Sequence, residues 1–245
     1  MSALSPHPDP AAVAENPAAV QASALEKWID DRLILQQIHL NVMPGQFTAL
    51  LGANGAGKST LLKILATLMS PSAGQLVLFG KPVGRDAHAV RSRLGLIGHQ
   101  SMLYRDLTAF ENLRFFGKLY GIADPSARAQ TLLKAVCLWE RADDPVKSFS
   151  RGMAQRVAIA RALVHDPDLL LADEPFDGLD APSSHSLEQL LTQLHQAGKT
   201  IILANHNIEQ SLRLTQRAIV LRQGRVVIDD ASEHLQAAAV LKEMA

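Results

Sequence analysis

Short apolar stretches separated by turns run through the chain from about residue 24 onward. Residues 33–42 alternate between apolar and polar side chains, which predicts a half-buried strand, and Met-Pro-Gly at 43–45 predicts the turn that ends it. Residues 46–51 predict a buried strand that leads into a glycine-rich segment. Further strands are predicted at 75–79, 94–97, 169–172, 200–204, 217–221 and 225–228.

Helical spacing of apolar residues follows the glycine-rich segment and recurs at about 183–197 and 209–215. Residues 101–165 are predicted to be mostly helical, with glycines and prolines dividing them into pieces, so they form a helical insertion between two strands. Strands that alternate with helices predict an α/β fold with a mainly parallel sheet. The sequence contains no internal repeat, so this unit occurs once.

The two ends of the chain depart from this pattern. Residues 1–21 contain four of the twelve prolines, and no Lys or Arg precedes Lys27, so they lack the positive charge of a signal or transit peptide. Their alanine- and proline-rich composition buries too little apolar surface to offset the entropy of ordering. We therefore predict a disordered leader at 1–23, an ordered domain at 24–230 and a C-terminal tail at 231–245.

Composition narrows the classes of function. The 245 residues carry 24 Lys and Arg against 24 Asp and Glu, so no basic excess is available for general binding to nucleic acid. No aliphatic run approaches the roughly 18 residues of a membrane span, and we expect no segment that crosses a bilayer. The single cysteine, Cys137, excludes a disulfide within the chain and fits a reducing compartment.

The glycine-rich segment carries the strongest chemical signal in the sequence. It fits the pattern G-x-x-x-x-G-K-[ST] and is flanked by a strand and a helix, as a phosphate-binding loop requires. Its glycines let backbone N–H groups curl around phosphate oxygens, and the helix N-terminus adds its positive dipole end. Lys58 is expected to reach the β- and γ-phosphates of a nucleotide, and the Ser59 hydroxyl to bind Mg²⁺. The predicted binding residues are Gly52, Ala53, Asn54, Gly55, Ala56, Gly57, Lys58, Ser59 and Thr60.

Two acidic residues follow the apolar run at 169–172. Four consecutive apolar residues are typical of a central strand covered on both faces, and ligands of such sheets gather at the carboxyl ends of the strands. We therefore expect Asp173 and Glu174 to face the same nucleotide as Lys58. Asp173 is predicted to bind Mg²⁺, and Glu174 to orient or deprotonate the water that attacks the γ-phosphate.

A third motif makes the chain similar to the ABC-type ATPases, from about residue 24 to residue 227. Phe-Ser-Arg-Gly-Met at 149–153 resembles the signature loop of that family, although the glycine and glutamine usual there are replaced by Arg151, Gly152 and Met153. Ser150 and Gly152 keep the small residues that open a helix whose amides can receive an anion. The resemblance implies that this loop closes over ATP held by a second copy. The helix that follows this loop has about 12 residues and spans roughly 18 Å, however. The loop could therefore instead reach the nucleotide site of its own chain.

The resemblance also implies the fold and further site residues. The fold is a P-loop NTPase (RecA-like) core with an antiparallel β subdomain and an inserted helical subdomain. Gln100 resembles the glutamine that links Mg²⁺ and the attacking water to the helical subdomain. Asp180 resembles the aspartate that communicates across the dimer, and His206 resembles the histidine that contacts the γ-phosphate. Trp28, 24 residues before Gly52, resembles the aromatic residue that stacks on adenine, with strand-end packing as its alternative role.

Partners and location follow from the same resemblance. ATP and Mg²⁺ are the implied cofactors. The implied partners are transmembrane permease subunits and a second copy of the chain in an ATP sandwich dimer, without nucleic acid. The implied location is cytoplasmic, peripheral on the inner face of the cell membrane. A candidate docking surface for a permease, with core packing of the helical insertion as the alternative, consists of Tyr104, Phe110, Phe115, Phe116 and Tyr120.

The segments at 98–113 and 173–180 are similar to the ATP-binding subunits of the haem exporters of cytochrome c maturation, which predicts haem export. Multidrug and polysaccharide exporters, whose subunits carry near neighbours of the same segments, are the alternative. Another alternative is a soluble ABC-type ATPase that acts on ribosomes or DNA, although its usual paired cassettes, long coiled-coil insertion or basic linkers are not visible in the sequence. Cys137 is not part of a haem-attachment motif, so any haem would be handled by the partners.

Overall fold

The computed structural model describes residues 17–84, 88–98 and 101–244. Within these ranges the chain forms two β-sheets and eight α-helices. The longest described helix has 16 residues, and none of those described combines the length and apolarity that a membrane crossing needs.

The smaller sheet is antiparallel. Its strands are β1 (Val20–Ile29), β2 (Arg32–Val42), β4 (Ala73–Leu78) and β5 (Lys81–Pro82), in the spatial order β2-β1-β4-β5. β1 and β2 form a hairpin through Asp30 and Asp31, which both adopt a positive φ (44° and 61°). Aspartate tolerates this left-handed conformation better than most residues, so the sequence suits a tight turn here.

The larger sheet has six strands and is mainly parallel. They are β3 (Phe47–Gly52), β6 (Leu94–Ile97), β7 (Leu169–Asp173), β8 (Thr200–Ala204), β9 (Arg217–Arg222) and β10 (Arg225–Ala231). Their order is β10-β9-β3-β8-β7-β6, and β10 alone pairs antiparallel. β3, β7 and β8 are buried at every residue, which explains their uninterrupted apolar runs.

The helices complete the two subdomains. They are α1 (Lys58–Leu65), α2 (His88–Arg91), α3 (Ala109–Leu119), α4 (Pro125–Ala135), α5 (Arg151–Ala162), α6 (Ala181–Gln196), α7 (Ile208–Leu214) and α8 (Ala237–Met244). Short 3-10 helices occur at Trp139–Arg141, Val146–Ser148 and Ser232–His234. A capping box fixes the start of α3: Thr108 Oγ1 accepts a hydrogen bond from Glu111 N at 3.0 Å, and Glu111 Oε2 accepts one from Thr108 N at 2.9 Å.

The core lies on both faces of the parallel sheet, and β7 shows how one strand serves both. Leu169 and Leu171 pack in a cluster with α1 and the antiparallel sheet. Leu170 and Ala172 point the other way, as alternate residues of a strand do, into a cluster with α3, α4, α5 and α6. The antiparallel sheet and the helical insertion therefore cover opposite faces of the parallel sheet.

The predicted α/β class, the P-loop NTPase core and the antiparallel and helical subdomains are confirmed. The predicted boundaries at both ends are wrong. β1 begins at Val20, so the ordered domain starts before residue 24, while residues 1–16 lie outside the described residues. The tail predicted at 231–245 is part of the domain, because α8 buries Val240 against the sheet and Arg222 Nη1 donates a hydrogen bond to the Glu243 carbonyl oxygen at 3.1 Å.

Candidate functional site

The glycine-rich loop joins the end of β3 to the start of α1. Gly52 has a φ of +154°, and a Cβ atom there would stand 2.5 Å from the Leu221 carbonyl oxygen. Gly57 has a φ of +108°, and a Cβ atom there would stand 2.7 Å from Leu35 Cδ2. Backbone conformation and space therefore both exclude a side chain at the two ends of the loop. These glycines hold the loop in the tight shape that the sequence motif predicts.

Lys58 folds back over this loop. Its Nζ donates hydrogen bonds to the carbonyl oxygens of Gly52 at 2.7 Å and Ala53 at 3.1 Å, and the residue is only 7% exposed. Burial lowers the pKa of Lys58 below its usual range, while the charges of Glu174 and Asp173 oppose that shift. A phosphate beside Nζ would further stabilise the ammonium form, so the site favours an anion at this position.

Asp173 ends β7 with a carboxylate that suits a cation. Its Oδ1 is buried and has no hydrogen-bond partner among the described residues, an arrangement that is costly unless a cation or water meets it. The Ser59 side chain lines the same cavity as Asp173. Within the described ranges no three His, Cys, Asp or Glu side chains come close enough to hold a metal ion by themselves. Mg²⁺ commonly uses one or two protein ligands together with substrate phosphates, so these residues fit that ion.

Glu174 and His206 form a hydrogen-bonded pair across the ends of β7 and β8. Glu174 Oε2 accepts hydrogen bonds from the His206 backbone N–H at 3.1 Å and from His206 Nδ1 at 2.7 Å. The second bond places a proton on Nδ1 and leaves Nε2 on a side chain that is 65% exposed. Glu174 adopts a positive φ of 49°, a strained conformation of the kind that clusters at functional sites.

An open cavity of about 310 Å³ lies in front of the loop, at the lower end of the size range of small-molecule sites. It is lined by Ile34, Asn54, Gly55, Gly57, Lys58, Ser59, Thr60 and Glu174. The cavity therefore brings together the loop at the end of β3 and the acid at the end of β7. Ile34 was not predicted as a site residue, because no sequence pattern around it indicates that β2 passes over Gly57.

Trp28 stands in β1 opposite Leu33 of β2, and the residue after Leu33, Ile34, lines this cavity. Trp28 is half-exposed. A tryptophan that served only to pack the end of a strand would be more deeply buried. Stacking of Trp28 on adenine stays a prediction. Gln100, predicted to link Mg²⁺ and the attacking water, lies outside the described residues.

Ser150 and Asp180 each cap a helix. Ser150 Oγ accepts a hydrogen bond from Met153 N at 3.2 Å at the start of α5, and Asp180 Oδ1 accepts one from Ser183 N at 3.0 Å at the start of α6. Hydrogen bonds from Ser183 hold the pKa of Asp180 below its usual range. The described residues that line the Lys58 cavity do not include Ser150, Gly152 or Asp180. Their predicted roles across a dimer are therefore not tested by a single chain.

The first two turns of α5 contact the segment that follows Glu174. Arg151 Nη2 pairs with Asp177 Oδ2 at 2.8 Å, and Gln155 Nε2 donates a hydrogen bond to the Pro175 carbonyl oxygen at 3.4 Å. Arg151 also lines a second cavity together with Glu174. The sequence analysis assigned Arg151 no role, although its place between Ser150 and Gly152 could have drawn attention to it.

The predicted aromatic docking residues divide into two groups. The Tyr104 and Phe115 rings stack edge to face at 5.1 Å, are 52% and 40% exposed as residues, and continue to Phe116. Phe110 instead packs against Trp139, with ring centroids 6.2 Å apart. Phe110 therefore packs inside the helical insertion, whereas Tyr104 and Phe115 are exposed, and docking of a permease on them stays a prediction.

A largely apolar cavity of about 470 Å³ is lined in part by Ser59 and Asp173, the predicted Mg²⁺ ligands. Leu68 and Met102 line it and are 59% and 45% exposed. Arg161 connects it to the aromatic group, because its guanidinium lies 5.7 Å from the Phe116 ring and donates a hydrogen bond to Met102 Sδ at 3.7 Å. The exposed apolar surface therefore begins beside Asp173 and extends onto the helical insertion.

The amino-acid sequence is similar to those of known ABC transporter proteins. A family model described as "ABC transporter" matches residues 35–177. A protein of Cupriavidus metallidurans named "Nod factor export ATP-binding protein I" is 39% identical over 89% of this chain and 73% of its own length. A Bacillus subtilis protein named "ABC transporter ATP-binding protein NatA" is 38% identical over 82% of this chain and 83% of its own length.

Solved structures show the same likeness. The dimeric post-hydrolysis state of the ATP-binding cassette MJ0796, bound to ADP and Pi, is 30% identical, covers 87% of this chain and 98% of its own, and superposes with a TM-score of 0.80. The ATP-binding subunit of an ABC transporter is 27% identical over 92% of this chain and 99% of its own, with a TM-score of 0.85. Both likenesses therefore extend over most of this chain.

Proposed function

This chain belongs to the ABC transporter family, and from that membership we propose that it is the ATP-hydrolysing subunit of an exporter. It is an ATPase that binds ATP with Mg²⁺, works with membrane permease subunits and pairs with a second ATP-bound copy, as members of the family do. Export and the roles of individual residues are the parts that we propose.

The observation that carries the proposal is that the loop after β3 and the acid after β7 line one cavity, and that His206, after β8, is hydrogen-bonded to this acid. Lys58 neutralises charge on the β- and γ-phosphates from the end of β3. Ser59 and Asp173 hold Mg²⁺, which when bound neutralises phosphate oxygens. Glu174 accepts a proton from, or orients, the attacking water, and His206 fixes Glu174 through Nδ1. In the imidazolium form, in which both ring nitrogens carry protons, His206 Nε2 would donate to the γ-phosphate.

We propose that Ser150 and Gly152 serve the ATP of a second copy. The amides at the start of α5 form an anion-binding helix end. Within its own chain, position 152 could carry a side chain, since a Cβ atom there would make only ordinary contacts, the nearest at 3.6 Å to Leu179 Cδ2. If this position requires glycine, the requirement would therefore come from a second molecule that approaches it. Asp180, at the start of α6, is proposed to communicate across the same dimer.

The permease docks, we propose, on the exposed apolar surface formed by Leu68, Met102, Tyr104 and Phe115. Their exposure on one continuous surface is typical of an interaction site. The surface begins beside Asp173, so a docked segment would sense the state of the nucleotide site. We propose that the chain works at the cytoplasmic side of the membrane, peripheral to it.

The direction of transport rests on the relatives that are named for Nod factor export. Haem is the specific cargo that the segment at 98–113 predicts, and none of the relatives named above refers to haem. Multidrug or polysaccharide export is the alternative. A strain that lacks this chain separates them: loss of c-type cytochromes would support haem export, whereas unchanged c-type cytochromes would contradict it.

Copurification tests the proposed function directly. The tagged chain is extracted with its membranes in mild detergent, and the complex is identified by mass spectrometry. A stable complex with a membrane-spanning permease, lost in the paired variant Leu68→Asp and Phe115→Asp, is the expected result. Cofractionation with ribosomes or DNA would instead support an ABC-type ATPase without a transport role. Cys137→Ser, an exposed change away from this surface, is the control.

A further inference from the structure

The loop that carries His206 depends on its neighbours for its position. Asn205, directly after β8, is 1% exposed, whereas the His206 side chain beside it is 65% exposed. Among the described residues, the His206 ring forms a hydrogen bond only with Glu174. An exposed ring with one such contact stays in place only if the backbone on either side of it is fixed.

Gln210 of α7 fixes that backbone on both sides. Asn205 Nδ2 donates a hydrogen bond to Gln210 Oε1 at 3.0 Å, and the Gln210 backbone N–H donates one to Asn207 Oδ1 at 3.0 Å. The Asn207 backbone N–H also donates to Asn205 Oδ1 at 3.3 Å. The Gln210 side chain therefore holds Asn205, whereas the bond to Asn207 comes from the Gln210 backbone and would survive replacement of the side chain.

Gln210 is itself held by α6. Its Nε2 donates hydrogen bonds to Glu188 Oε1 at 2.8 Å and to Ser184 Oγ at 3.4 Å. The amide thus uses its acceptor end for Asn205 and its donor end for a carboxylate, which fixes its orientation. The Glu188 side chain is only 16% exposed, and hydrogen bonds to a charged acceptor are the stronger kind.

We propose that Gln210 is a positioning residue for ATP hydrolysis, which keeps His206 in hydrogen-bond contact with Glu174 by tying the His206 loop to Glu188 of α6. Gln210 touches neither the Lys58 cavity nor Glu174 in the described contacts, and acts only through the loop. The inference rests on the ATPase activity of the family. It adds a mechanical link between the His206 loop and α6, the helix that begins directly after Asp180.

The first test compares kcat and KM for ATP. Gln210→Ala is expected to lower kcat by about 10-fold and leave KM within about twofold, because small displacements of a catalytic group reduce the chemical step more than binding. Glu188→Leu, which removes the acceptor for Gln210 Nε2, is expected to do the same. Combining the two substitutions should cause little further loss, since they break one link.

Conservative and control variants separate positioning from general damage. Glu188→Gln keeps an oxygen acceptor for Gln210 although it loses the ion pair with Arg213, so kcat is expected to stay within about twofold. Gln189→Ala changes the next residue of α6, an exposed side chain bonded only to His185 among the described residues, and is expected to be neutral.

Amide hydrogen exchange supplies a readout that does not depend on turnover. The amides of 205–207 are expected to exchange about 10-fold faster in Gln210→Ala than in the unmodified chain, with no change in β3. Unchanged exchange at 205–207, or kcat within twofold in both Gln210→Ala and Glu188→Leu, would overturn the inference. An unmodified chain that hydrolyses no ATP would count against the proposed function instead, and the exchange measurement would still decide the role of Gln210.

Discussion

Gly152 offers a test in which stability and activity move in opposite directions. Gly152 is the second residue of α5, and its φ lies outside the left-handed region. A Cβ atom added there would stand 3.6 Å from Leu179 Cδ2 and 3.7 Å from the Gly178 carbonyl oxygen, which are ordinary van der Waals distances. The single chain therefore has room for alanine at this position.

Alanine is favoured over glycine within a helix by roughly 0.5–1 kcal/mol, because glycine loses more backbone freedom on folding. Gly152→Ala is therefore expected to raise the free energy of unfolding by up to about 1 kcal/mol, which corresponds to a rise in Tm of roughly 2–4 °C for a chain of this size. ATP hydrolysis is expected to fall by about 100-fold, because the added methyl group would keep the phosphates of a second copy away from the α5 amides.

Thermal unfolding and steady-state ATPase measurements on the same preparation check the expected rise in Tm and the expected fall in ATP hydrolysis. Gly57→Ala is the matched control: its φ of +108° and its 2.7 Å approach to Leu35 Cδ2 predict a loss of stability together with the loss of activity. Unchanged ATP hydrolysis in Gly152→Ala would refute the proposed approach of a second copy to Gly152. A lower Tm would show that the Leu179 contact tolerates no methyl group.

Three further substitutions test separate parts of the site. Lys58→Ala is expected to weaken ATP binding by more than about 100-fold in calorimetry, because the loop loses its only side-chain cation, and undiminished binding would contradict the assignment. Glu174→Gln is expected to keep ATP binding but to trap an ATP-bound dimer on size-exclusion chromatography, and hydrolysis at the unmodified rate would remove Glu174 from its role. Trp28→Phe is expected to abolish the fluorescence change on ATP addition, whereas Trp139→Phe, which alters the ring packed against Phe110, is expected to retain it.

Much of the fold was predictable because the signals are local. The apolar run at 169–172 is buried on both faces of the sheet, so the sequence pattern directly reflects a central parallel strand. β1 was not predicted as a strand, because Ala22 and Ala24 give a weak apolar alternation and because its pairing with β4 joins segments about 50 residues apart. α8 was missed for a related reason: Val240 is buried by a sheet that precedes it in the chain.

The functional site likewise has parts that the sequence predicts and parts that it does not. The phosphate-binding loop was predictable, since its shape depends on glycines and a lysine within nine consecutive residues. The pairing of Glu174 with His206 was not, because it needs the register of β7 against β8, which places Asp173 beside Ala204. The contacts of Gln210 were invisible for another reason: a polar residue on a short helix has no pattern that separates a buried bridge from a solvated side chain.

The packing of α5 favours one of the two routes that the sequence left open for the Ser150 loop. Val157, Ile159 and Ala160 of this helix are at most 1% exposed, and the first turn is pinned by the Arg151–Asp177 pair. A displacement of α5 toward its own Lys58 would expose the Val and Ile side chains, which costs about 1.5–3 kcal/mol each. The exposed ion pair contributes at most about 1 kcal/mol, so hydrophobic burial is the term that holds α5 where it is. Because total stability is only about 5–15 kcal/mol, that displacement is unfavourable, and we infer that the loop serves the ATP of a second copy.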